Sequence, residues 1–256
     1  MKLGLLADKT EIALDSFEKI KEKYDFIDIN ENPNSIVDAI VILGGDGFML
    51  HSMHNLQSKD TPLYGMNCGT IGFLLNEFST EDLKERIKNA KESIIFPLEM
   101  SAIDTKGETH KGLAYNEVSL LRETRQSASI EVVIDGKIRI HDLVGDGILV
   151  ATPAGSSAYN FSAKGPIVPL GSDLLALTPI SPFRPRQWRG ALLPSKTQVK
   201  FIINNPNKRP VSCVADYFEF RDIKEVSVAQ SKNNAITLLF DRENPLEDKL
   251  ITEPFL

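Results

Sequence analysis

Apolar residues follow two different periods in the first third of the chain. The run Lys-Leu-Gly-Leu-Leu-Ala at 2–7 reads as a strand, and over residues 10–24 Ile12, Ala13, Phe17, Ile20 and Tyr24 fall on one helical stripe. Phe-Ile-Asp-Ile (26–29), Ala-Ile-Val-Ile-Leu (39–43) and Pro-Leu-Tyr-Gly-Met (62–66) predict further strands, each ending near a turn signal. A helix is expected from Phe48. Another is expected over residues 79–90, with Ser79 or Thr80 as its cap, acids in its first turn and Lys and Arg later. Strands that alternate with helices predict a parallel α/β sheet, with ligand sites off the carboxyl ends of the strands.

From about Ile94 the texture becomes β-rich. The runs at 113–121, 128–134, 137–144 and 147–152 follow one another closely, and Asp135-Gly136 between two apolar runs is a two-residue hairpin signal. After a Pro-rich middle, the runs at 197–203, 225–230 and 235–240 continue the pattern. The expected fold is an α/β N-terminal domain with a parallel sheet, residues 1–96, followed by a mostly-β C-terminal domain, residues 97–239.

With 256 residues, 42% of them hydrophobic, the chain can bury sizeable cores. A net charge of −6, without any block of like charge, gives no electrostatic footprint for nucleic acid or an anionic membrane. The two cysteines, Cys68 and Cys213, lie far apart and lack metal-ligand spacing. The apolar start is broken at Asp8, too early for a signal peptide, and no stretch approaches the roughly 20 apolar residues of a membrane span. A cytoplasmic protein is expected.

The chemistry concentrates first at Gly44-Gly45-Asp46-Gly47, directly after an apolar strand. Three glycines allow unusual backbone conformations and let a bulky anion approach the main-chain amides, and a helix starting next would add its own N–H groups. A carboxylate repels phosphate, so Asp46 makes sense facing a hydroxyl that attacks one. That combination points to a kinase. The competing reading is a tight strand-to-helix turn in which Asp46 caps the helix. Neither G-x-x-x-x-G-K-[ST] nor G-x-G-x-x-G after a strand is present.

Residues 145–166 form the second concentration. Thr152, Pro153, Gly155, Ser156, Ser157, Tyr159 and Ser162 offer hydroxyls and backbone groups for a sugar-rich, phosphorylated ligand, and Tyr159 an aromatic surface for a base. A plain Ser-rich connector is the alternative.

Taken in order, Gly44-Gly45-Asp46-Gly47, Asn-Cys-Gly-Thr-Ile-Gly-Phe-Leu (67–74), Asn116-Glu117 and Asp-Gly-Ile-Leu-Val-Ala-Thr-Pro-Ala-Gly-Ser-Ser-Ala-Tyr (146–159) resemble the successive motifs of the NAD kinase family. The likeness runs from the first strand to the segment around Asp216. It implies ATP-dependent phosphorylation of the 2′-hydroxyl on the adenosine ribose of NAD, with a divalent metal, Mg2+, accompanying ATP. The resemblance assigns Asp46 to that hydroxyl, and Gly44, Gly45, Asn67 and Gly69 to phosphate or ATP. Asn116 and Glu117 are expected to bind adenine and ribose. Gly47, Phe73, Asp146, Ala154, Ser157, Ala158, Tyr159 and Ser162 are expected to complete the NAD site, and no metal ligand is assigned. The family fold places the active site between its two domains, in a homodimer or homotetramer, with residues 240–256 returning to the first domain.

The chain departs from the family pattern at Phe48, where Thr is common, and at Ala154, where a hydroxyl residue is frequent. It departs again at Tyr217, which follows Asp216 in place of Gly, and at Phe183-Arg184, in place of a His-containing stretch. His51 and His54 have i, i+3 spacing but no third metal ligand nearby. Arg184, Arg186 and Arg189 around Trp188 suit either phosphate or a surface strip, and Lys164 suits phosphate or solvent. Two other functions remain in view, a lipid or sugar kinase sharing only the glycine motif and a non-catalytic NAD(P)-binding regulator.

Overall fold

The computed structural model describes residues 1–56, 60–69 and 72–242. The chain divides into two compact units, the first formed by Met1–Ile95 with the segment from Asn234, the second by Phe96–Asn233.

In the first unit Ala39–Gly44 is buried at every position, as an uninterrupted apolar run in a parallel sheet must be. It pairs in parallel with Leu3–Ala7 and with Leu63–Asn67. Among the described residues the strand order is Ile27–Asp28, Leu3–Ala7, Ala39–Gly44, Leu63–Asn67, Ile236–Phe240, Lys91–Ile95, with Asn76–Glu77 also paired to Leu63–Asn67. The helix Glu11–Lys23 starts where Thr10 accepts from the Ala13 N–H at 3.4 Å, and it buries Ala13, Ser16 and Ile20. Ile12, expected on the inner stripe, is 62% exposed. It precedes Ala13 by one residue, about 100° around a 3.6-residue turn, and so falls off the inward face.

The helix expected over 79–90 is shorter, Leu83–Asn89. Asp82 before it takes a left-handed conformation (φ 48), and the Ser79 hydroxyl accepts from Glu81 N–H at 3.1 Å. Ser79 therefore makes a local turn where a cap was expected. A second correction concerns residues 235–239, which the apolar pattern placed with the β-rich domain. Ile236–Phe240 runs antiparallel to Lys91–Ile95 and meets Leu63–Asn67 at Leu238, so the chain re-enters the first sheet at about residue 234. Alternating apolar residues fit either sheet equally well, and nothing in the pattern selects one. Residues 243–256 of the expected tail lie outside the described residues.

The second unit is a sandwich. One antiparallel sheet runs Lys137–Gly145, Ala128–Ile134, Val199–Ile203, Ile223–Gln230, Leu98–Asp104, Thr109–Ala114. The other runs Ala191–Pro194, Leu174–Ile180, Gly147–Ala151, Glu117–Arg122, Val211–Ala215, Phe218–Phe220. Met100, Ile130, Phe201 and Val226 of the first pack with Val118, Leu120, Ile148 and Cys213 of the second in one core. The outer face of the second sheet, Leu149, Ala151 and Ala176, is covered by Val168 and Tyr159 from the 152–170 segment. Asp135 and Gly136 have φ of 49° and 74°, the double left-handed turn that the hairpin signal predicts. The apolar run at 113–121 is broken in two at Tyr115-Asn116, because Thr109–Ala114 and Glu117–Arg122 belong to different sheets.

Candidate active site

The glycine loop lies at the carboxyl end of the strand Ala39–Gly44. The following helix is Asp46–Leu56, two residues earlier than expected, with Met49 N–H donating to Gly45 O at 3.0 Å. Asp46 is thus the first helical residue and not the cap. Its carboxylate reaches across to another loop: Phe73 N–H donates to Oδ2 at 2.8 Å and Leu74 N–H to Oδ1 at 3.0 Å. Two backbone donors fix both its position and its rotamer.

The glycines serve space more than conformation, since none of Gly44, Gly45 and Gly47 is left-handed. A Cβ on Gly45 or Gly47 would meet nothing within 4 Å, so their backbone is bare toward a ligand. At Gly44 a Cβ would lie 2.9 Å from the Phe48 ring, which gives Phe48 a packing role. Next to this strand, Gly69 N–H donates to Asn67 Oδ1 at 2.9 Å, and Cys68 N–H to Gly44 O at 3.0 Å. Asp46, Phe73, Asn67 and Gly69 are therefore brought together at the carboxyl ends of adjacent parallel strands; Thr70 and Ile71 lie outside the described residues. Cys68 is buried, with its thiol pushed up by burial, and acts as a packing residue.

In the second unit the 152–168 segment spends much of its polar content on itself. Thr152 Oγ1 donates to Tyr115 O at 2.6 Å and accepts from Gly155 N–H at 3.0 Å. Ser156 Oγ donates to Pro153 O at 2.7 Å and accepts from Val168 N–H at 2.9 Å. The Asn160 amide donates to Ser156 O and Pro166 O, each at 2.9 Å, and its oxygen accepts from Thr178 at 2.6 Å. Thr152 and Ser156, read from the sequence as ligand hydroxyls, are instead buried scaffolding, because composition does not show which way a hydroxyl faces. Ala154 is buried too. Ser157, Ala158 and Tyr159 are half-buried and Ser162 is exposed, so these keep surface for a ligand.

Gly155 passes so close to the neighbouring turn that a Cβ there would lie 2.1 Å from Asn116 O. Asn116 O also accepts from Thr152 N–H at 2.9 Å. Gly155→Ala is expected to displace that carbonyl, lowering stability by about 1–3 kcal/mol in urea unfolding. An unchanged unfolding midpoint would contradict this contact.

Glu117 is 9% exposed, and among the described residues its Oε2 is a buried oxygen with no hydrogen-bond partner. Burial first, and the charge of Asp216 second, push its carboxyl up to about 8. Tyr159 is raised by burial and then by Glu117 and Asp146, which marks these side chains as neighbours. Asp146 pairs with Arg122, Nε to Oδ1 at 2.5 Å. Arg122 and Asp216 were not assigned roles in the sequence. The signal for Asp216 was an Asp in a short break between two β runs, where Asp favours turns.

His54 is buried and His51 exposed on their helix. Arg184, Arg186 and Arg189 are exposed while Trp188 packs on the sandwich core, and Arg186 sits over the Phe183 ring at 5.6 Å. Lys164 is exposed. Asp104, Glu108 and His110 hold donor atoms within 4.8 Å of one another at a hairpin turn. There Asp104 Oδ1 accepts from Lys106 and Glu108 N–H, and its Oδ2 lies 3.1 Å from His110 Nε2. The arrangement reads as a turn closed by the Asp104–His110 contact.

Family comparison agrees with both halves of the chain. The ATP-NAD kinase N-terminal domain matches residues 5–93, and the ATP-NAD kinase C-terminal domain matches residues 115–238. The NAD kinase of Caulobacter vibrioides is 55% identical over 217 residues, 85% of this chain and 84% of that protein. The NAD kinase of Xylella fastidiosa is 46% identical over 254 residues, 99% of this chain and 96% of that protein. Two solved structures share the fold. Yeast NADH kinase complexed with NADH has a TM-score of 0.80 at 21% identity, covering 100% of this chain and 87% of that one. An NAD kinase from Archaeoglobus fulgidus in complex with ATP has a TM-score of 0.75 at 24% identity, covering 95% of each. With both domains matched in order and close relatives aligned over nearly their whole length, the chain belongs to the ATP-NAD kinase family.

Proposed function

We infer that this chain is an ATP-dependent NAD kinase, which transfers the γ-phosphoryl group of ATP to the 2′-hydroxyl of the adenosine ribose of NAD and so makes NADP. The observation that carries the reading is the Asp46 carboxylate, held by two backbone amides beside glycines whose main chain is open. An ionised carboxylate is an acceptor, and one fixed beside open main chain can take the proton of an attacking hydroxyl. Gly45 and Gly47 give bare backbone toward phosphates beside Gly44, Asn67 and Gly69, and the N-terminus of the helix Asp46–Leu56 favours negative charge. Asn116, Glu117, Asp146, Ser157, Ala158, Tyr159 and Ser162 supply the polar groups and the aromatic face for NAD. The buried, unsatisfied oxygen of Glu117 supports a polar ligand there.

ATP chemistry brings Mg2+, which neutralises phosphate charge. Nucleotide phosphates are the usual ligands of that ion, with the protein supplying few of its own. Two buried free cysteines agree with a reducing, cytoplasmic setting, and no helix among the described residues is long and apolar enough to cross a membrane. Family resemblance supports a homodimer or homotetramer, which light scattering would determine. Phe48, where Thr is common in the family, packs on Gly44.

The test is to incubate the protein with Mg-ATP and NAD and to detect NADP with a dehydrogenase specific for it. NADP should accumulate with time and enzyme. Binding of NAD without NADP formation, from ATP or from polyphosphate, would refute the reading.

A further inference from the structure

Asp216 stands between the strands Val211–Ala215 and Phe218–Phe220 with φ of 55°, a conformation Asp tolerates better than most residues. Its carboxylate accepts from three consecutive backbone N–H groups, Tyr115 at 2.8 Å, Asn116 at 3.0 Å and Glu117 at 3.2 Å. Its own N–H donates to Glu117 O at 3.1 Å. Glu117 is thereby bracketed at both backbone groups, and its side chain is left buried with Oε2 unsatisfied.

An ionised carboxylate with a buried oxygen that lacks a donor is costly, and a second negative charge beside it adds to the cost. A neutral Glu117 avoids both. The titratable groups around it agree: Asp216 repels its charge, Tyr115 is raised by burial and Asp216, and Tyr159 is raised by burial, Glu117 and Asp146. Arg122 is engaged with Asp146.

Resting on the kinase reading, we propose that Asp216 is a positioning residue for the dinucleotide, pinning the turn at 115–117 and keeping Glu117 neutral so that its carboxyl donates an O–H to an acceptor atom of NAD. A neutral carboxyl both donates and accepts, whereas an ionised one only accepts. NAD affinity should therefore hold at low pH and fall roughly tenfold per pH unit above the midpoint of Glu117.

Calorimetric titration of the whole protein with NAD, over about two pH units on either side of about 8, tests this. The wild type should show the falling limb. Asp216→Asn, which removes the neighbouring charge, should move the limb to lower pH. Glu117→Gln, whose amide stays neutral, should lose the limb. Affinity that rises with pH, a limb that persists in Glu117→Gln, or a loss in Asp216→Asn that is equal at every pH would overturn the proposal. If Asp216→Asn fails to fold by thermal melting, the wild-type and Glu117→Gln profiles still decide it. NAD bound without a limb refutes this proposal alone, whereas no NAD binding and no NADP at any pH refutes the kinase reading beneath it.

Discussion

Replacing Asp46 with Asn is expected to lower the turnover of NAD phosphorylation by about 10²–10⁴-fold, the range general-base catalysis contributes, while NAD affinity changes only a few-fold. The carboxylate is set by Phe73 and Leu74 N–H groups on opposite oxygens. Asn can accept from one of them, but its NH2 then faces the other donor, so the substitution both removes the charge and loosens the loop. Steady-state kinetics with calorimetric NAD binding separates the two effects. A drop in turnover with binding retained assigns Asp46 to the hydroxyl. An equal drop in both makes it an organiser of the 72–74 loop, and no drop in either removes it from the mechanism.

The parts legible in the sequence were those whose physics is local. Ala39–Gly44 reads as a buried parallel strand because every position is apolar, and Asp135-Gly136 reads as a hairpin because both residues tolerate the left-handed region. The position of Asp46 at a strand end was legible for the same reason. Its attachment to residues 73 and 74 was not, since a hydrogen bond spanning 27 and 28 residues leaves no trace in either segment alone. The same holds for Asp216, which shapes the turn at 115–117 from about 100 residues away.

The 152–168 segment shows a different limit. Its hydroxyls were correctly seen as concentrated, but Thr152 and Ser156 face inward and hold the loop, while Ser157 and Ser162 keep contact with solvent. Residue type is identical on both sides of that division, and only burial separates them. The sheet chosen by Ile236–Phe240 is a third case, because an apolar strand satisfies any buried slot of matching length.

What holds that last strand in the first sheet is the network around Asp241, and Asp241→Ala is expected to lower stability by about 3 kcal/mol. Arg86 binds Asp241 through both carboxylate oxygens, Nη2 to Oδ2 at 2.6 Å and Nε to Oδ1 at 3.3 Å. The hydroxyl of the fully buried Tyr64 donates to Oδ1 at 2.6 Å. Asp241 N–H donates to the buried Asn76 side chain, whose amide in turn donates to Gly65 O and Leu239 O. Removing the carboxylate leaves the guanidinium without its anion and a buried phenol without its acceptor, so the penalty is that of breaking a buried pair. The low end of that range applies because Arg86 and Asp241 keep 20% and 15% of their side-chain surface exposed. For a chain of this size the loss corresponds to about 6–12 °C in melting temperature. Asp15→Ala, breaking the Lys19–Asp15 pair whose side chains are 57% and 61% exposed, is the control and should change stability by less than about 1 kcal/mol. Equal losses in the two variants would show that the Asp241 network behaves as surface charge, and that the return of the chain to the first sheet rests on apolar burial of Ile236, Leu238 and Phe240 instead.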